Sequence, residues 1–155
     1  MADKKITDLG ELTTVAGDDW LEIVDTSAGL SMKIQRNNLV SVPVFLTTPL
    51  TSTSWDGDTK STADRAIVDL STVFSVPAGV KAVLISVQTQ ADAVNDYIRF
   101  GPNSGNNFTL TCRTAVANQI THASGVVPCD ANGDIYCYPS GTVEGVWVWI
   151  WGYFL

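Results

Sequence analysis

The side chains of this 155-residue chain that could do chemistry are few and poorly grouped. Asp56/Asp58, Asp92/Asp96 and Asp130/Asp134 are close carboxylate pairs, and a carboxylate pair is what glycoside hydrolysis uses. Each pair lies among turn-forming residues, with no apolar surroundings to raise one carboxyl into the role of an acid. The single imidazole, His122, stands in the polar stretch QITHASG, a loop or strand edge, and no G-x-S-x-G elbow accompanies it. A hydroxyl nucleophile therefore has no base to activate it. Cys112, Cys129 and Cys137 form no CxxC pair and are expected as small buried apolar groups. Asp56-x-Asp58-x-Lys60 starts like a calcium loop, then puts Ser61 where the turn glycine belongs and Ile67 where the bidentate Glu belongs. The DANGD run at 130–134 is better explained as an Asn-Gly hairpin turn. The expectation is a non-enzymatic protein with no catalytic, cofactor-binding or metal-ligating residues.

The aromatic row at the end of the chain is more informative. In GVWVWIWGYFL, strict alternation puts Trp147, Trp149, Trp151 and Tyr153 on one face of a strand and Val148, Ile150 and Phe154 on the other. Such a row could stack sugar rings, but indoles bury up to about 250 Å² each and are enriched in interfaces. A core or a seam between subunits is the stronger expectation for these four residues.

Three stretches must position these groups. In residues 1–40 the apolar run Trp20, Leu21, Ile23, Val24 and the alternating Leu30, Met32, Ile34 flank the turn-forming DTSAG, which predicts a β-hairpin. Residues 41–65 hold Pro43, Pro49 and a dense Ser/Thr run, yet Phe45, Leu46 and Trp55 are too apolar for a solvated tether. They predict an extended arm lying along a surface, such as that of a neighbouring subunit. Residues 66–155 contain the runs AIVDL, KAVLISVQTQ, DYIRF, NFTLTCRT, GDIYCYP and GVWVWIWGYFL, rich in β-branched and aromatic residues and separated by VPAG, GPNSGNN and DANG. No helical period appears, so the fold class expected is mainly β, an antiparallel sandwich of jelly-roll type behind a hairpin and an arm.

The wording of the first stretch, ITDLGELTT…GDDWLEIVDTS…SMKIQRNNL, resembles the N-terminal segment of many phage tail-fibre, head-fibre and related virion proteins. The match runs through Ile6, Asp8, Leu9, Leu12, Asp18, Asp19, Leu21, Ile23, Val24, Asp25, Lys33, Ile34, Asn38 and Leu39, about a quarter of the chain. VPAGVKAVLISV…GDIYCY…VWVWIWGYF is similar, more loosely, to small β-sandwich domains of phage fibre and decoration proteins. The resemblance implies attachment to a virion through Leu9, Leu12, Trp20, Leu21, Ile23, Met32, Ile34 and Leu39, and a homotrimer. Capsid or tail proteins are the partners it implies, with a host surface glycan as a further partner and the virion as the location.

Composition agrees with a chain that is covered by others. Apolar residues make up 45% and charged residues only 16%, well below the usual quarter. Only nine residues of 66–155 are charged, too few to wet both sides of the closing strand, so an oligomer is expected. The net charge of −7 with nine scattered basic residues argues against nucleic acid and against an anionic membrane surface. Neither a secretory leader nor a run long enough to span a bilayer is expected.

Overall fold

A computed structural model describes residues 20–25, 30–35 and 43–155 of the chain. The chain forms two compact units that divide after Ser41. In the first, β1 (Trp20–Asp25) pairs antiparallel with β2 (Leu30–Gln35). Leu21 stands opposite Ile34 and Ile23 opposite Met32, the hairpin that the sequence predicts.

The second unit is a sandwich of eight strands: β3 (Pro43–Leu50), β4 (Ala66–Val68), β5 (Ala82–Gln90), β6 (Tyr97–Gly101), β7 (Leu110–Arg113), β8 (Thr121–Pro128), β9 (Ile135–Pro139) and β10 (Gly145–Phe154). They form two antiparallel four-stranded sheets, ordered β3-β10-β5-β8 and β4-β9-β6-β7. Numbered within the sandwich, the orders are 1-8-3-6 and 2-7-4-5, the double Greek key of a jelly roll. Every connection except that between β6 and β7 passes from one sheet to the other, so most strands need distant partners before they can bury anything.

The core follows from period-two alternation. In β5, Val83, Ile85, Val87 and Thr89 are buried while Leu84, Ser86, Gln88 and Gln90 face outward. In β10, Val146, Val148 and Ile150 point inward beside them. From the other sheet come Val68, Ile98, Phe100, Cys112, Ile135 and Cys137. Fully burying such side chains contributes roughly 1.5–3 kcal/mol each before ordering costs. Between β4 and β5 a one-turn helix, α1 (Leu70–Phe74), drops Leu70 and Phe74 into this core. Asp69 caps it: Oδ1 accepts from the Thr72 amide at 2.9 Å and from the Ser71 hydroxyl at 2.7 Å.

Two expectations change. Strict alternation along β10 fails at Trp151, where a β-bulge makes Ile150 pair with Ile85 and Gly152 with Leu84. The extra residue reverses the faces, so Tyr153 stands opposite the buried Val83 and packs on the core, while Phe154 joins the outer face. Second, the turn at 130–134 closes no hairpin: it links β8 to β9, which lie in different sheets. Asp130 Oδ1 holds it by accepting from the amides of Asn132 and Asp134, both at 2.9 Å.

Residues 43–50, within the segment expected to be an arm, form a strand of their own chain's sheet. β3 is an edge strand paired with β10, where Pro43 and Pro49 can be accommodated. Beyond it, Asp56 takes over as the partner of β10. Its Oδ1 accepts from the Val148 amide at 3.1 Å, its Oδ2 from the Ser52 amide at 3.0 Å, and the Gly57 amide donates to the Val146 carbonyl. Trp55 then packs on the core, edge-on to Phe74 with centroids 5.9 Å apart, and Lys60 Nζ lies 4.9 Å from its ring centroid.

Candidate functional site

Three of the six carboxylates in the close pairs, Asp56, Asp130 and Asp134, are committed to the backbone. Asp56 caps β10, and burial pushes its carboxyl up against the pull of two donated amides. Asp134 accepts from the Leu70 amide at 3.1 Å. Burial raises the thiols as well: Cys112 to about 11, Cys129 and Cys137 to about 12. Raised thiols hold their protons and are poor nucleophiles. Among the described residues no group of three or more His, Cys, Asp or Glu is placed to hold a metal ion.

What the sandwich does present is two outward sheet faces. The first belongs to β3-β10-β5-β8. These four strands contain no Asp, Glu, Lys or Arg. Trp147 stands opposite Gln88 and Trp149 opposite Ser86, both indoles half-buried on the outside of the sheet rather than in the core. Trp147 is turned back over the start of its strand, and a Cβ on Gly145 would come within 2.5 Å of its ring. Trp151 and Phe45 are exposed, Phe45 by 70%. Leu84, Phe154 and the exposed Val126 extend the apolar surface, and Leu46 is half-buried. Polar side chains interrupt it at Gln88, Gln90 and Ser124 and at a hydrogen-bonded pair: Ser86 Oγ and His122 Nε2 lie 2.6 Å apart, His122 on the edge strand β8 and Ser86 directly beside Trp149.

The second face belongs to β4-β9-β6-β7. Tyr97 and Arg99 alternate with the buried Ile98 and Phe100; Tyr136 and Tyr138 alternate with the buried Ile135 and Cys137. Register places Arg99 opposite Tyr138 on one side and Thr111 on the other, and Tyr97 opposite Arg113. Arg65 stands one residue before β4, opens onto Tyr138 with its guanidinium carbon 3.8 Å from the ring centroid, and donates from Nε to the Pro139 carbonyl at 3.0 Å. Arg99 stacks on Tyr97 at 4.1 Å and reaches Phe108 at 5.9 Å; Arg113 lies 5.5 Å from Tyr97. Phe108 in turn packs on Tyr138, 5.1 Å between centroids. Basic residues that look scattered along the chain are thus gathered, three of them, on one face.

Of the residues expected to attach the chain to a virion, Leu9, Leu12 and Leu39 lie outside the described residues, and Trp20, Leu21, Ile23, Met32 and Ile34 lie in the hairpin strands. Of the expected seam residues, Trp147, Trp149 and Trp151 share the first outer face and Tyr153 does not. The arginine–aromatic face is absent from the sequence reading; the doublets Tyr-x-Arg at 97–99 and Tyr-x-Tyr at 136–138, each alternating with apolar residues, are the signal that announces it. No protein-family model matches this chain, and the curated proteins contain no match to it.

Proposed function

We propose that this chain is a non-enzymatic structural protein of a tailed-bacteriophage particle, a trimeric capsid decoration (cement) protein or short head fibre held through residues 1–40. The observation that carries the reading is the first outer face. A sheet whose four strands carry no Asp, Glu, Lys or Arg, and whose outer surface shows Trp147, Trp149, Trp151, Phe45 and Phe154 among the uncharged Ser86, Gln88, Gln90 and Ser124, is a surface that a sister subunit covers well. The wording of residues 1–40 supports attachment to a virion, and jelly rolls recur in viral capsid domains, an analogy of fold alone. The mechanism is mechanical: apolar area buried across a joint, at roughly 25 cal/mol per Å², stabilises the joint by several kcal/mol before ordering costs.

A second reading, a receptor- or glycan-binding module at the tail tip, is favoured by one observation. The plane of Trp149 stands beside the hydrogen-bonded Ser86–His122 pair, an apolar surface with polar groups fixed next to it. A tail adaptor is a weaker third possibility. Antibody labelling of intact particles separates the three: label over the head is expected, label at the tail favours the second or third reading, and particles without label overturn all of them.

A further inference from the structure

The second outer face is independent of the assembly reading and has a different chemistry. Its arginines are held by rings rather than by carboxylates. Lys60 is paired with Asp58, 3.8 Å apart, whereas among the described residues the guanidinium groups of Arg99 and Arg113 have neither an ion pair nor a hydrogen bond. In a protein of net charge −7 with carboxylates in excess, three arginines on one sheet face without a carboxylate partner are an unmatched positive charge.

Stacking also decides how that charge is offered. A guanidinium held against a tyrosine ring, as Arg65 is on Tyr138 at 3.8 Å and Arg99 on Tyr97 at 4.1 Å, keeps its N–H fork at the sheet surface, where a further partner can reach it. That fork fits the two oxygens of a carboxylate, sulfate or phosphate, and it loses little rotamer freedom on binding because the ring already holds it. Register sets the spacing. Arg65 and Arg99 flank Tyr138 from two strands away, about 10 Å apart at the backbone. Arg99 and Arg113 are diagonal neighbours on β6 and β7, roughly 7–8 Å apart. Several oxyanions on one polymer could be met at once.

The surroundings favour a saccharide as the carrier. Gly101 has no side chain, and a Cβ there would come 2.6 Å from the Asn107 carbonyl oxygen. The 102–109 loop therefore folds close over the end of β6 and lays Phe108 against Arg99 and Tyr138. It brings exposed amides, Asn103, Asn106 and Asn107, to the rim, and Thr111 is exposed beside Arg99. Amide and hydroxyl groups around arginine forks suit a ligand dense in hydroxyls. Nucleic acid is disfavoured, because stacked guanidinium groups already occupy the ring faces that bases would use and the protein's net charge repels a polyanion of high density.

We propose that the Arg65–Tyr138–Arg99–Tyr97–Arg113 face binds an acidic oligosaccharide through its oxyanions. Calorimetric titration of the full-length protein with four probes tests this: oligogalacturonate (carboxylate), a heparin oligosaccharide (sulfate), a neutral dextran oligosaccharide and oligothymidylate. Expected are binding of at least one acidic saccharide, weakening as salt rises, and no binding of dextran; the probe that binds identifies the oxyanion. Arg99→Gln with Arg113→Gln should weaken it about tenfold or more, the double Lys variant less, and Lys81→Gln, in the turn before β5 and away from this face, not at all. In the unaltered protein, ligand should shift the ring NMR signals of Tyr97, Tyr138 and Phe108 and leave the indole signals in place, which removes any dependence on the variants folding. Failure of both acidic saccharides to bind, equal binding of dextran, a preference for oligothymidylate, or shifts confined to the indoles would each overturn the assignment.

Discussion

The two outer faces of the sandwich differ far more than the two inner ones. Inside, both sheets supply the same material: Val83, Ile85, Val148 and Ile150 from one, Ile98, Phe100 and Ile135 from the other. Outside, one sheet shows indoles and no formal charge, and the other shows arginines stacked on tyrosines. Because side chains alternate at period two, a strand carries two independent messages. The inner one specifies the fold and is interchangeable between sheets. The outer one is free to specify a partner, and here the two sheets offer surfaces of different chemistry.

That separation can be broken most sharply within β10. Val148→Asp puts a carboxylate in the core and should unfold the protein, a loss of more than about 4 kcal/mol. Trp149→Asp, its neighbour on the outer face, should leave the fold within about 1 kcal/mol of the original and abolish self-association; urea unfolding and sedimentation of both variants give the contrast. Equal damage from the two would mean the faces are not separable. Next in size is Asp56→Ala, which leaves the amides of Val148 and Ser52 without acceptors and should cost about 2–3 kcal/mol in the same unfolding measurement.

On the charged face, Arg99→Gln should lower stability by only about 0.5–1 kcal/mol, the value of an exposed cation–π contact, because the side chain lies outside the core. The smallest effect is a pH dependence. Hydrogen bonds from the Ser71 hydroxyl and from the Thr72 amide and hydroxyl hold the Asp69 carboxyl at about 2. A depressed carboxyl stabilises the fold above its unfolded value, near pH 4, and that stability is lost as pH falls towards 2. Burial raises Asp56 and Asp134, so these work in the opposite sense, holding the proton more tightly folded than unfolded. Asp69→Asn should therefore flatten the decline of thermal midpoint in acid, read between pH 7 and pH 2.

Much of the fold is legible in the chain, since runs such as KAVLISVQTQ and GDIYCYP carry the alternation that β5 and β9 display. What escapes has physical reasons. β8 reads as a polar stretch because its outward residues are His122 and Ser124 and its inward ones include Ala123 and Gly125, small groups that fit against the facing sheet. β3 is hidden by its prolines, which forbid a central strand but not an edge. Tyr153 is misplaced by the bulge at Trp151, which no pattern marks. The tryptophan face is visible because its members are neighbours in sequence. The arginine face is not, because Arg65, Arg99 and Arg113 meet only through the register of four strands.

The claim that matters most is that copies of the chain cover the indole face of the first sheet. Sedimentation equilibrium combined with acrylamide quenching of tryptophan fluorescence addresses it directly. Expected are a trimer whose indoles are shielded and a Trp149→Asp variant that is folded, monomeric and readily quenched. A wild-type chain that stays monomeric at high concentration, with its outer indoles open to the quencher, would contradict it.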